Sequence, residues 1–130
     1  MNGLTWIDEV LEDFGRRFGL EDLRLAENGA AALDLAGGRT LLFELTRTGL
    51  WVSLEFPLEP TDENMKLLLA EAEPPRYRRG IRIHAGYLPE KRRGLLSTVI
   101  ATNDLMTVSL EAVWDALKAR ADKIGGGAWA

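Results

Sequence analysis

One histidine and two closely spaced carboxylate pairs are the side chains best placed for acid–base chemistry. His84 is the only histidine in the chain and stands in an alternating run with Ile81, Ile83, Ala85 and Tyr87. A lone imidazole can act as a general base. It would need a nucleophile beside it, and no G-x-S-x-G elbow marks one. The competing reading of His84 is a solvent-facing strand residue. Asp8 with Glu12 and Glu9 with Asp13 are one helical turn apart, a spacing that lets two carboxylates face each other. Both pairs lie opposite an apolar stripe, so they read as a solvated helix face. Cysteine is absent, which excludes disulfides and thiolate metal sites. One imidazole and scattered carboxylates make no ligand cluster for a metal. The glycines give neither G-x-G-x-x-G nor a phosphate loop ending in Lys-Ser/Thr. The expectation is a chain without catalytic residues, metal or cofactor.

Charge is the next place to look for a partner. The net charge of −4 hides an uneven distribution: residues 1–73 carry 6 Lys/Arg against 15 Asp/Glu, and residues 74–130 carry 10 against 5. The positive part gathers in Arg76, Arg78, Arg79, Arg82, Lys91, Arg92 and Arg93. One reading is a phosphate-binding patch. The other is a set of loop and edge charges that keeps two strands soluble and unpaired. No nucleic-acid motif accompanies the cluster, and the acidic remainder would repel a polyanion. No nucleic-acid partner is therefore expected.

A length of 130 residues suits one domain, and 46% hydrophobic content suffices for a core. The opening MNGLTWIDEVLEDF has no basic n-region, so no signal peptide is expected. No apolar run approaches the roughly 18 residues of a membrane span. A reducing, cytoplasmic setting fits the missing cysteines.

Several elements must position whatever these residues do. Leu4, Ile7, Leu11, Phe14 and Phe18 form one stripe at helical spacing. Thr5 is a plausible N-cap with Asp8 three residues on, and Gly19 a natural stop. Four short strands follow by alternation: Leu23 and Leu25; Leu33 and Leu35; Leu41, Phe43 and Leu45; Leu50, Val52, Leu54 and Phe56. Asn28-Gly29, Gly37-Gly38 and Thr48-Gly49 punctuate them, as in an antiparallel meander. Thr61 to Glu73 reads as a second helix with Met65, Leu68, Leu69 and Ala72 on its apolar side. Pro74-Pro75 ends it. Ile81 to Tyr87 and Leu95 to Thr102 read as two more strands around a charged turn. A last helix starts at Thr107 or Ser109 and buries Leu110, Val113, Trp114, Leu117 and Ala121. Residues 1–124 form the expected domain, and residues 125–130 a flexible tail. The fold class is α+β: an antiparallel sheet flanked by three helices in the order α-β-β-β-β-α-β-β-α.

Some apolar residues fall on the wrong face of this pattern. Leu42 and Trp51 point away from the face that Leu41, Phe43, Val52 and Leu54 define, and Leu95 and Val99 do the same in the last strand. Either they form an exposed surface for a partner, or helices cover both faces and they are core.

The order of elements, with the stretches LEDLRLAENGAAALDLAGGRTLLFEL and LEAVWDALKARADKI, resembles the class I chaperones of type III secretion, the Tir-chaperone family. The resemblance spans nearly the whole chain. It implies a cytosolic homodimer that uses no nucleotide and serves virulence. Such a dimer binds the N-terminal segment of a secreted effector in extended form, through strand addition and side-chain pockets. The segment stays soluble and secretion-competent. Leu42 and Trp51 are then the expected effector-binding residues, and Ile81, Ile83 and Tyr87 the expected dimer interface. Two other classes stay open: a regulatory adaptor or anti-activator that binds a regulator protein, and an enzyme centred on His84.

Overall fold

A computed structural model describes residues 5–72 and 81–124. The expected stop at Pro74-Pro75, the arginines 76, 78 and 79, and the tail 125–130 lie outside the described residues. Helix α1 (Thr5–Gly15) buries Ile7, Leu11 and Phe14, the centre of the predicted stripe. It tightens into a 3-10 turn over Arg16–Phe18 and ends at Gly19. Gly19 takes φ +80°, and its N–H returns to the Arg16 carbonyl at 3.1 Å. That left-handed position suits a residue without a Cβ.

The first of the four expected strands does not form. Leu23 is buried and Leu25 half-buried, as alternation requires, yet residues 22–26 are extended coil. The reason is a competing acceptor. Asp8 Oδ1 takes the Leu25 N–H at 3.1 Å, and Glu12 pairs with Arg24. These α1 carboxylates tie the coil to the helix instead of lying free in solvent. The Asn28-Gly29 turn does reverse the chain, closed by Ala26 N–H to the Ala30 carbonyl at 2.8 Å.

Five strands remain: β1 (Ala30–Asp34), β2 (Thr40–Leu45), β3 (Gly49–Pro57), β4 (His84–Leu88) and β5 (Arg93–Ala101). All pair antiparallel in the order β1-β2-β3-β5-β4. Helix α2 (Asp62–Ala70) joins β3 to the second half. Its cap is the expected one: Thr61 Oγ1 accepts the Asn64 N–H at 3.1 Å. Its face is narrower than expected, since Leu68 is buried but Leu69 is 66% exposed. Helix α3 (Thr107–Ile124) buries Leu110, Val113, Trp114, Leu117, Ala121 and Ile124. Ser109 Oγ accepts the Met106 N–H at 2.8 Å and so caps its start.

Residues of one parity along the sheet join all three helices in one core. Phe14 meets Phe43 edge-on at 6.1 Å, and Phe18 meets Trp114 at 5.5 Å, the arrangement aromatic quadrupoles prefer. Arg39, only 6% exposed, crosses from the β1–β2 turn to α3 and donates to Asp122 Oδ1 at 2.6 Å. The helices thus pack on one face of the sheet, and among the described residues no helix lies on the other face, called the bare face below.

Candidate partner-binding surface

The bare face is built from the second parity of each strand. Leu42 pairs across with Ser53, and Glu44 with Trp51, which sets Leu42 and Trp51 diagonally on neighbouring strands. Trp51 faces Val99 on β5, and its ring lies 5.6 Å from that of His84. Leu42 and Trp51 are half-buried and Val99 is 38% exposed. The two residues expected to bind a partner therefore share one largely apolar strip with Val99 and Leu95, on the face that none of the described helices covers. Ser53 and Ser97 hydroxyls meet at 2.8 Å in its middle. An ion pair closes one end, where Arg93 Nε donates to Glu55 Oε1 at 2.6 Å. The same guanidinium donates to the Gly38 carbonyl at 2.7 Å, which fastens β5 to the β1–β2 turn.

The edges of the sheet offer backbone groups as well. On β1 the odd residues bond to β2, as the flanking bonds Leu45 N–H to Gly29 and Leu35 N–H to Arg39 show. The even residues point outward. Ala30 is occupied by Asn28 Oδ1 and the Ala26 amide. Among the described residues Ala32 and Asp34 have no backbone partner on that outer side.

The expected dimer residues separate. Ile83 is 1% exposed within its own chain, so it belongs to the core and leaves the set a second copy could touch. Tyr87 is half-buried, and its hydroxyl donates to the Leu58 carbonyl at 2.7 Å. Ile81 is half-buried just ahead of β4. Of the basic cluster, Arg92 pairs with Glu59 at 2.6 Å, and Arg93 and Lys91 meet Glu55. These members neutralise the acidic end of β3.

His84 is exposed, and one cleft gathers it with Asp104 and Ser109. The Ser109 hydroxyl of this trio is turned to the start of α3. Ser109 Oγ lies 2.9 Å from the Asp104 carbonyl and 2.7 Å from that of Met106, at the helix start. Among the described residues no hydrogen bond joins His84 to either partner, and nucleophile activation needs that link. Nor do the described residues hold a group of three or more metal-ligating side chains. No described helix is long and apolar enough to cross a membrane.

No protein-family model and no curated protein matches the chain. Solved structures do. The ExsC–ExsE complex superposes with a TM-score of 0.74 at 18% identity, covering 95% of this chain and 93% of that one. The Yersinia pestis type III secretion chaperone SycH, solved with a fragment of YscM2, gives 0.60 at 18%, covering 90% and 95%. The HopA1–SchA chaperone–effector complex gives 0.62 at 19%, covering 95% and 92%. The chain has the fold of the type III secretion chaperones. The α+β architecture expected from the order of elements is thereby confirmed, with five strands in place of six.

Proposed function

We propose that this chain is a cytosolic, non-catalytic chaperone of type III secretion. It holds the N-terminal segment of a secreted effector in extended form and keeps it soluble and secretion-competent. The observation that carries this reading is the bare sheet face: Leu42, Trp51, Leu95 and Val99 form an apolar strip beside the open β1 edge. A strand added at Ala32 and Asp34 would gain backbone bonds, and the polypeptide continuing from it would lie across the strip. The likeness to chaperones solved with protein partners supports it. A regulatory adaptor on the same fold is the second reading, and the likeness to the ExsC–ExsE complex fits it equally. The protein acts as a homodimer, with Ile81 and the outer edge of β4 at Ala85 and Tyr87 facing the second copy. Sedimentation equilibrium at micromolar concentration then gives twice the 14.4 kDa of one chain; a 14.4 kDa species would refute the dimer. Purification with the bound polypeptide, followed by truncation of that polypeptide, tests the main reading. Binding should reside in its isolated N-terminal segment. Binding retained by a folded partner that lacks the segment would favour the adaptor.

A further inference from the structure

Glycine weakens a strand, because it brings no side chain to pack and loses the most chain entropy on folding. A glycine inside a strand therefore needs a reason, and among the described glycines only Gly86 lacks one within this chain. Gly19, Gly29, Gly37 and Gly38 take φ between +75° and +81°. At Gly15, Gly49 and Gly94 a Cβ would come within 2.9 Å of Leu23, Ile100 or Phe56. Gly86 has no positive φ. It sits inside β4 in an unbroken ladder, opposite Leu95. A Cβ there would meet no described atom within 4 Å. Neither a turn, a bulge nor a neighbour asks for the glycine. The remaining cause of a strand glycine is the close approach of another molecule.

Its place says what approaches. Ile83, Ala85 and Tyr87 turn to the core, so His84, Gly86 and Leu88 share the bare face. The ladder sets His84 beside Ser97, Gly86 beside Leu95 and Leu88 beside Arg93. The missing side chain leaves a gap one residue wide, floored by the Gly86 backbone. Leu88 and Leu95, both half-buried, wall it. The His84 imidazole stands on its third side, 5.6 Å from the Trp51 ring. The gap thus continues the strip that holds Leu42 and Trp51. Resting on the reading above, we infer that Gly86 is the specificity position of this face, and that the gap receives an aromatic side chain of the bound polypeptide. A planar ring can lie against the bare peptide of a glycine, the cross-strand arrangement called aromatic rescue. Apolar walls on two sides disfavour a charged side chain. The imidazole on the third offers the edge or offset contact that rings prefer. The second copy is assigned to the opposite parity of β4, at Ala85 and Tyr87, which leaves the Gly86 side to the partner.

Three lysine-flanked octapeptides of alternating threonine and valine test this, identical except for phenylalanine, leucine or alanine at one central position. Isothermal titration should show the phenylalanine peptide binding about fivefold tighter than the other two. In NMR spectra its ring should move the Gly86 Hα resonances upfield, which the leucine peptide cannot do. Gly86→Val fills the gap and should bring the phenylalanine peptide to the affinity of the alanine one, while the melting temperature holds or rises. Gly86→Ala carries the test if the valine variant fails to fold. It should keep the melting temperature and cut the phenylalanine preference about twofold. A lower melting temperature for Gly86→Ala would mean that the fold itself needs the glycine, and would overturn the inference. Phenylalanine and leucine peptides of equal affinity would also overturn it; shifts at Trp51 and Val99 would then leave the proposed function standing. Binding by none of the three peptides would overturn both. Gly86→Val splitting a dimer while keeping the phenylalanine preference would assign the gap to the second copy and overturn the inference.

Discussion

Trp51→Ala separates a residue that holds the fold from one that holds a partner. Truncating a sealed core Trp costs about 3–5 kcal/mol, because a cavity adds to the lost transfer energy. Trp51 is half-buried on a bare face, so water can fill the space and the cavity contribution falls away. An indole offers roughly 200 Å². About half of that in contact, at about 25 cal/mol per Å², is worth about 2.5 kcal/mol. Alanine keeps part of it, and the 5.6 Å contact with His84 contributes little at an exposed site. The expected cost to the fold is about 1–2 kcal/mol. At about 4 °C per kcal/mol for a chain of this size, the melting temperature drops by about 4–8 °C. A central aromatic anchor loses about 2 kcal/mol or more of binding when truncated, roughly thirtyfold in affinity. Differential scanning calorimetry and isothermal titration with the co-purified polypeptide read the two quantities. A drop beyond about 15 °C with affinity retained would place Trp51 in the core energetically and refute the reasoning.

Asp122→Asn should destabilise the protein by about 2 kcal/mol in a urea titration, because it removes the carboxylate that pairs with both the buried Arg39 guanidinium and Lys118; an unchanged urea midpoint would contradict it. Burial works to raise the Asp122 pKa, but hydrogen bonds from Arg39 and Lys118 outweigh it and lower the value. That stabilisation is present above the unfolded carboxyl value of about 3.9 and fades as pH falls through the folded one, so the gap between wild type and Asp122→Asn should close below about pH 4. Gly49→Ala should cost about 3 kcal/mol, since a Cβ there would sit 2.2 Å from the Ile100 carbonyl oxygen and force β3 from β5; an unchanged melting temperature would contradict it. Duplex DNA should bind no tighter than about a micromolar at physiological salt, because Arg92 and Arg93 are engaged by Glu59 and Glu55; fluorescence anisotropy checks this.

Alternation along a strand reports which side chains are buried, and on that count the sequence was readable. Leu33, Leu41, Phe43, Leu50, Val52, Leu54 and Phe56 are all core, as are the five residues expected from α3. Alternation does not report where a backbone N–H goes. Leu23 and Leu25 alternate like a strand, but Asp8 claims the Leu25 amide from seventeen residues away. The covered face was equally out of reach. Leu42 and Trp51 could be assigned to the minority face, but whether a helix lies over it depends on where three helices dock. Ile83 shows the same gap: its parity is right, yet the core closes over it before any second chain could. One signal was available and unread. Thr98 interrupts the apolar parity Leu96, Thr98, Ile100, and a buried hydroxyl needs a partner; here that partner is the Arg82 carbonyl, which shapes the sheet edge.

A sheet with one bare face and open edges is a liability that proteins contain with short edges and charge. β1 spans only Ala30–Asp34 and ends in an exposed aspartate. Glu44 is exposed beside Trp51, and the Arg93–Glu55 pair closes the far end of the strip. These charges sit at the margins and leave the middle uncharged. A surface meant only for solvent would place charge at Leu42, Trp51 and Val99, and one meant for a permanent core would carry no Glu44. The distribution suits a transient occupant: apolar enough to hold an extended chain, charged enough at its rim that the empty face does not seek another copy of itself. The positive charge in the turn between β4 and β5 is engaged by the acidic end of β3 and by Glu59, and so trims the strip at the Leu95 end.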